Sequence, residues 1–270
     1  MLRTEMRNER TIHIDRMETI DMLRTMNEEN MNSVGAVEKA LPDVAAAVDV
    51  IADAMRLGGR LFYFGAGTSG RLGVMDAAEC PPTFGVPHET VQGVIAGGPE
   101  RMFTAGENAE DSYEAGEGDA RRVLRPGDVL VGISAAGGAR YVVGAIEAAK
   151  ALGCKTVGLS SNPGTAVLNA ADIAICCDTG PEVITGSTRL KAGNSQKFVL
   201  NMLSTCAMIK TGKVYENLMI NLRPSNEKLR GRVLRITAAI LDCDEEQALR
   251  WLEQTDWDIR AAVELAQSNA

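Results

Sequence analysis

The chain has 270 residues, 45% of them hydrophobic, and a formal net charge of −8. That is enough apolar material for one sizeable α/β core, or for a core with a small appended module, and it excludes a disordered chain. The acidic balance argues against nucleic acid as a partner, which needs a basic face, and no apolar run approaches the about 18 residues of a membrane span.

In chain order, the first 30 residues are studded with Arg, Asp and Glu, unlike a signal peptide, so a cytoplasmic protein is expected. Val37, Leu41, Val44, Val48, Ile51 and Met55 then recur at helical spacing and predict a helix ending at Gly58 and Gly59, with Pro42 a candidate break. Five short β-rich runs follow: "RLFYFG" (60–65), "VQGVIAG" (91–97), "DVLVGIS" (128–134), "KTVGLSS" (155–161) and "DIAICCD" (172–178). Helical stretches separate them, so the predicted fold is α/β, a doubly wound five-stranded parallel sheet with flanking helices and with function at the carboxyl ends of its strands. Residues 188–213 predict a long helix. Beyond Pro224 three short helices are expected, over about 225–240, 244–254 and 256–268, with Asp244 and Asp256 as N-caps. This divides the chain into 1–222 and a small helical module, 223–270.

The residue inventory narrows the chemistry. Cys80, Cys154, Cys176, Cys177, Cys206 and Cys243 lack the paired spacing of a zinc site and are expected to be buried free thiols. His13 and His88 alone cannot supply a histidine metal cluster, and a histidine-driven triad has little to work with. Chemistry is therefore expected to rest on carboxylates, hydroxyls and backbone amides, with no metal and no cofactor.

"GAGTSG" (65–70) matches a dinucleotide pattern through Gly65, Gly67 and Gly70. A dinucleotide fold also needs an acid about 20 residues on, at the end of the second strand, to bind the ribose. Here Glu89 precedes that strand, and its end is Ala96, Gly97 and Gly98. The lysine of a nucleotide-triphosphate loop is also missing. What remains is glycines with Thr68 and Ser69 at a helix start, which suits a single phosphate on a sugar. A tight turn with no ligand is the alternative. A second such turn, "GISAAGGARYV" (132–142), follows the third strand.

Two such turns on a parallel α/β chain resemble a sugar isomerase (SIS) domain. Longer runs carry a more specific resemblance: "TEMRNERTIHID" (4–15), "GAGTSGRLGVMDAAECPPTFG" (65–85), "IAGG" (95–98), "NAEDSYEAG" (108–116), "TGSTRLKAGNSQK" (185–197), "LNMLST" (200–205) and "GKVYENLM" (212–219) are similar to N-acetylmuramic acid 6-phosphate etherases. The closing "TDWDIRAAVELA" looks like the last helix of a ubiquitin-associated (UBA-like) three-helix module, read here as packing or dimer support.

The etherase resemblance implies a lyase without a cofactor, acting on a phosphorylated amino sugar in a homodimer that completes the active site. Its catalytic positions match Glu79, as acid/base at C3, and Glu110, as base at C2. Among themselves Glu107, Glu110, Asp111 and Glu114 read as one solvated helix face, and only the resemblance selects Glu110. Glu79 sits among Ala77, Ala78, Cys80 and Pro81, neighbours able to desolvate it. Substrate contacts are expected from Thr68, Ser69, Arg71, Ser134, and the amides of Gly137 and Gly138. Arg189 and Lys191 are the expected cations for phosphate or the lactyl carboxylate.

One stretch departs from the family. Where etherases carry roughly A-S-G-R-T-P-Y, this chain has Ala135, Ala136, Gly137, Gly138, Ala139, Arg140 and Tyr141. Each lost hydroxyl removes a bond to a charged ligand worth about 1.5–3 kcal/mol. The departure keeps two other readings open: a non-catalytic sugar-phosphate regulator, and an aldose–ketose isomerase, which shares proton abstraction at C2 but needs no acid at C3.

Overall fold

Apolar runs rich in β-branched and aromatic residues suit parallel strands covered on both faces, and the predicted runs form the sheet, three of them central and two, 91–95 and 173–176, at its partly exposed edges. In a computed structural model that describes residues 1–106, 108–222, 224 and 227–269, they form β1 (Leu61–Gly65), β2 (Val91–Ile95), β3 (Val129–Ile133), β4 (Lys155–Ser160) and β5 (Ile173–Cys176). All pair in parallel in the order β2-β1-β3-β4-β5. The chain divides into two units, Met1–Ala78 with Glu89–Ala207, and Glu79–His88 with Met208–Ala270.

In the first unit, period-two alternation along β1 feeds two layers. Phe62 and Phe64 join Leu130, Val142 and Ile146 in one core, against α3 (Tyr113–Val123) and α4 (Arg140–Ala151). Tyr63 points the other way, toward α2 (Gly67–Phe84) and α6 (Lys191–Lys210). Its hydroxyl donates to Asp76 Oδ2 at 2.8 Å, and Asn201 Nδ2 donates to Asp76 Oδ1 at 2.7 Å. Burial pushes the Asp76 carboxyl up from its ordinary range.

The first helix, α1 (Thr19–Arg56), runs through Pro42 without a break. Proline inside a helix costs about 3 kcal/mol. Here Val37 and Ala40 before it, and Val44, Ala47, Val48 and Ile51 after it, lie buried on one continuous stripe that outweighs the lost bond. Leu41 falls off that stripe and is exposed, contrary to expectation.

Close packing of α3 on α4 requires glycine. A Cβ on Gly116 would overlap the carbonyl of Tyr141, and one on Gly144 would overlap that of Tyr113. Gly116→Ala is therefore expected to lower stability by about 1–3 kcal/mol through overpacking, read as a lower urea midpoint at unchanged slope.

The six cysteines are free; Cys80, Cys154 and Cys177 are buried and the other three half-buried, so the expected burial holds for half of them. Burial pushes the Cys154 and Cys177 thiols up to about 11 and about 12.

In the second unit, β6 (Val214–Tyr215) and β7 (Leu218–Met219) form an antiparallel pair ahead of α7 (Glu227–Leu241), α8 (Glu245–Gln254) and α9 (Ile259–Ser268). Val233, Leu252, Ile259, Ala262 and Val263 make its core with Ile220 and Leu222. Asp244 caps α8, accepting from Gln247 N at 2.8 Å. Asp256 does not cap α9. It and Trp257 take positive φ, 50° and 63°, and the cap is Asp258, which accepts from Ala261 N at 2.9 Å.

Candidate active site

In an open α/β sheet, ligands bind outside the carboxyl ends of the strands where the strand order reverses. Here the chain passes from β1 outward to β2, then returns to β3 on the other side of β1, so the reversal lies between β1 and β3. Gly65 and Ile133 pair at those strand ends. Residues 66–69, which turn into α2, and the loop 134–139 follow them and line a cavity of about 290 Å³, through Ala66, Gly67, Thr68, Ser69, Ser134, Ala135, Ala136 and Ala139. Glu5, Glu110, Gly186 and Thr188 complete its wall with Ile133.

The first loop owes its shape to glycine. A Cβ on Gly70 would come within 2.5 Å of the Gly65 carbonyl, and Gly67 sits at φ 52°. This tight return sets the first residues of α2 against the cavity, where free helix amides favour an anion. Ser69 Oγ donates to Gln196 Oε1 at 3.0 Å. Gln196 Nε2 is buried and has no partner among the described residues.

The second loop differs from expectation at Gly137. Its N–H donates to Ser134 Oγ at 3.1 Å, so this amide closes the loop on itself and is not presented to a ligand. Gly137 is needed for its φ of 79°, and because a Cβ there would collide with Thr165 and Ser160. Ser134 keeps its own O–H to donate, Gly138 is exposed, and Ala139 stands at the start of α4. Two helix N-termini, of α2 and α4, thus meet at a wall whose charged members among the described residues are Glu5 and Glu110.

Glu110 lies in a turn ahead of α3 and not on a helix face, with Glu107 outside the described residues. Asn108 at φ 67° turns the chain, and Ser112 caps α3 by accepting from Ala115 N at 3.2 Å. The Glu110 carbonyl accepts from Tyr141 N at 3.0 Å, which ties the turn to the first residues of α4 and leaves its exposed side chain at the cavity.

Glu79 belongs to the second unit and is exposed on α2. Ala77 and Cys80 are buried, but they leave the helix at other angles and Glu79 is not buried with them.

The expected cations are placed differently. Lys191 is only 1% exposed, and its Nζ pairs with Glu29 Oε2 at 2.6 Å, so it is not available to an anion. Burial at the α6 start and a partner on α1 explain the difference. Arg71 donates to the carbonyls of Met102 and Thr104 at 3.0 and 2.9 Å, which anchors the segment after β2. Arg189 is exposed beside the wall residue Thr188.

A SIS domain model matches residues 101–206, and the model of the glucokinase regulatory protein N-terminal SIS domain matches residues 43–150. An N-acetylmuramic acid 6-phosphate etherase from Symbiobacterium thermophilum is 53% identical over 260 residues, 96% of this chain and 87% of that one. The relative of the same name from Cronobacter sakazakii is 50% identical over 261 residues, 96% and 88%. The chain belongs to the N-acetylmuramic acid 6-phosphate etherase family. Solved structures agree on the fold: phosphoheptose isomerase from Neisseria gonorrhoeae has a TM-score of 0.54 at 17% identity, over 70% of this chain and 98% of that one. The C-terminal domain of glucosamine-fructose-6-phosphate aminotransferase from Francisella tularensis has a TM-score of 0.52 at 19% identity, over 84% and 57%.

In this member of the etherase family, the wall also holds residues that the sequence reading did not single out, Glu5, Gly186 and Thr188. They fall inside the quoted runs 4–15 and 185–197, but nothing local marks them as facing a ligand. Glu182, likewise missed, accepts from Lys191 N and Ala192 N at 3.0 and 2.9 Å and so caps α6 from outside the helix. Burial pushes its carboxyl up.

Proposed function

We propose that the protein is a carbon–oxygen lyase that cleaves the D-lactyl ether of N-acetylmuramic acid 6-phosphate, giving N-acetylglucosamine 6-phosphate and D-lactate. The observation that carries this reading is the coincidence of about half-identity to etherases over nearly the whole chain with Glu110 at the switch-point cavity.

An ether oxygen is a poor leaving group until the ring opens and the C1 aldehyde acidifies the C2 proton. The Glu110 carboxylate takes that proton, C2=C3 forms, and the C3–O bond breaks while Glu79 protonates the departing lactate. Glu79, now a carboxylate, takes a proton from water as its oxygen adds to C3, and Glu110 returns a proton to C2. Phosphate binds through the Thr68 and Ser134 hydroxyls, the amides at the α2 start and the amide of Gly138 ahead of α4, with Arg189 next in sequence to the wall residue Thr188. Turning the Gln196 side-chain amide over makes it a donor to Ser69, which frees that hydroxyl to donate as well.

We place the protein in the cytoplasm as a homodimer in which Glu79 and Glu110 act on one sugar, with residues 1–222 binding the substrate and 223–270 in a supporting role. Ile20, Leu23, Met31, Val34 and Leu41 are exposed along α1, apolar surface that a second copy would cover.

Purified protein is expected to release D-lactate from N-acetylmuramic acid 6-phosphate in an enzymatic lactate assay. Glu79→Gln is expected to slow release by roughly 10²-fold, the low end for a general acid, because water can partly replace an exposed donor. Full activity in that variant would remove Glu79 from the mechanism. Binding of sugar phosphates with no lactate release by the wild type would favour the regulator.

A further inference from the structure

We propose that Glu5 is a substrate-binding residue: its carboxylate accepts a hydrogen bond from an uncharged donor of the sugar, a hydroxyl or the acetamido N–H, and its charge turns the anionic groups toward loops 66–69 and 134–139. The identity of the ligand rests on the etherase reading; the placement of Glu5 does not.

Glu5 closes a short turn, Arg3–Glu5, that is fixed at several points. Asn162, 1% exposed, accepts from Arg3 N at 2.7 Å and Thr4 N at 3.3 Å through Oδ1. Through Nδ2 it donates to Thr4 Oγ1 and to the Ala135 carbonyl, both at 3.1 Å. One buried amide thus clamps the N-terminal turn directly to the second anion loop. The Thr4 carbonyl accepts from Gly186 N at 3.2 Å, and Arg3 pairs with Asp178 at 2.7 Å.

All of these bonds leave the Glu5 side chain out. Its Oε2 lies against Gly186, 3.1 Å from where a Cβ would stand, and it lines the cavity with Glu110. Among the described residues, no hydrogen bond or ion pair engages its carboxylate. The surrounding structure therefore positions an acid that serves no packing purpose there. An ionised carboxylate only accepts, so it repels phosphate and lactyl carboxylate alike and selects a neutral donor. Glu110 and Glu5 then divide the wall, one acting on C2 and the other holding the sugar's uncharged edge.

The test is steady-state lactate release by Glu5→Ala and Glu5→Gln. Glu5→Ala is expected to raise KM roughly 10- to 100-fold, the range for a hydrogen bond to a charged group, with kcat little changed and the melting temperature unaltered. Glu5→Gln, which keeps the shape and loses the charge, is expected to recover part of the KM and to be inhibited by inorganic phosphate at several-fold lower concentration than wild type. Wild-type KM in Glu5→Ala, a loss confined to kcat, or unchanged phosphate inhibition in Glu5→Gln would overturn the proposal. Should the wild type release no lactate, the etherase reading fails, and calorimetric titration with N-acetylglucosamine 6-phosphate still decides: equal affinity of wild type and Glu5→Ala overturns the role of Glu5, and weaker binding by Glu5→Ala upholds it.

Discussion

Glu110→Gln is expected to lower kcat for lactate release by roughly 10³- to 10⁴-fold while KM changes by less than about threefold. The substitution is isosteric, and the bond that fixes the turn, from Tyr141 N to the Glu110 carbonyl, uses the backbone and survives it. What is lost is a proton acceptor at C2, for which the wall has no neutral substitute: Thr68, Ser69, Ser134 and Thr188 are hydroxyls, far too weakly basic at neutral pH. Glu5, the other carboxylate of the wall, is held by a different element and is assigned to a different part of the sugar. A drop of less than tenfold would mean that Glu110 is merely an exposed turn residue.

The largest stability effect is expected at Lys191. Its ammonium is buried against Glu29, whose carboxylate also accepts from Asn8 Nδ2 at 2.8 Å and Arg10 Nη1 at 2.9 Å. Burial pushes the Glu29 carboxyl up, but the hydrogen bonds from Lys191 and Asn8 and the charges of Lys191 and Arg10 outweigh it and hold the group below its ordinary value. Lys191→Met removes the main partner and leaves a buried charge, which costs about 3–5 kcal/mol. Asn8 and Arg10 remain, so the lower end is expected, measured as the fall in unfolding free energy in urea. Since the Glu29 carboxyl titrates lower in the folded state than in the unfolded one, the pair's contribution is complete above the unfolded value and is lost as pH falls through the folded one. Accordingly, wild type and Lys191→Met should converge in stability on acidification. A loss under 1 kcal/mol at neutral pH would show that the pair does not hold α6 to α1.

The contrast between Lys191 and Asp244 shows what a sequence discloses. Asp244 caps the helix that starts at the next residue by accepting from Gln247 N, three positions on, and both parties to the bond can be read together. Lys191 takes its meaning from Glu29, 162 positions earlier, and nothing near "TRLKAG" signals that its charge is already matched. The central strands are legible for a local reason as well: β1, β3 and all of β4 but Lys155 are buried, so they read as continuous apolar runs bounded by polar turns. Their order, and hence the switch point, is not written in the runs themselves, because a doubly wound sheet admits more than one order.

At the site, the turn into α2 at 66–69 and the loop 134–139 are legible from glycines and hydroxyls, because the constraint lies in the backbone itself. The amide of Gly137 is the exception, since it donates to Ser134, three residues away, and not to a ligand. A serine three positions before a left-handed glycine is a local turn signal and could have been recognised as one. Glu5 and Asn162 had no such signal. Their roles arise only when β4 delivers Asn162 to the strand ends, where the N-terminal turn docks. Asp256 failed as a cap because two successive left-handed residues delay the helix to Asp258, a conformation that composition does not announce.

How the ether bond is broken is read directly by incubating the wild type with N-acetylmuramic acid 6-phosphate in ¹⁸O-labelled water. Elimination followed by water addition predicts D-lactate that retains the original ether oxygen and N-acetylglucosamine 6-phosphate labelled at C3. Label in the lactate, or no lactate at all, would contradict it.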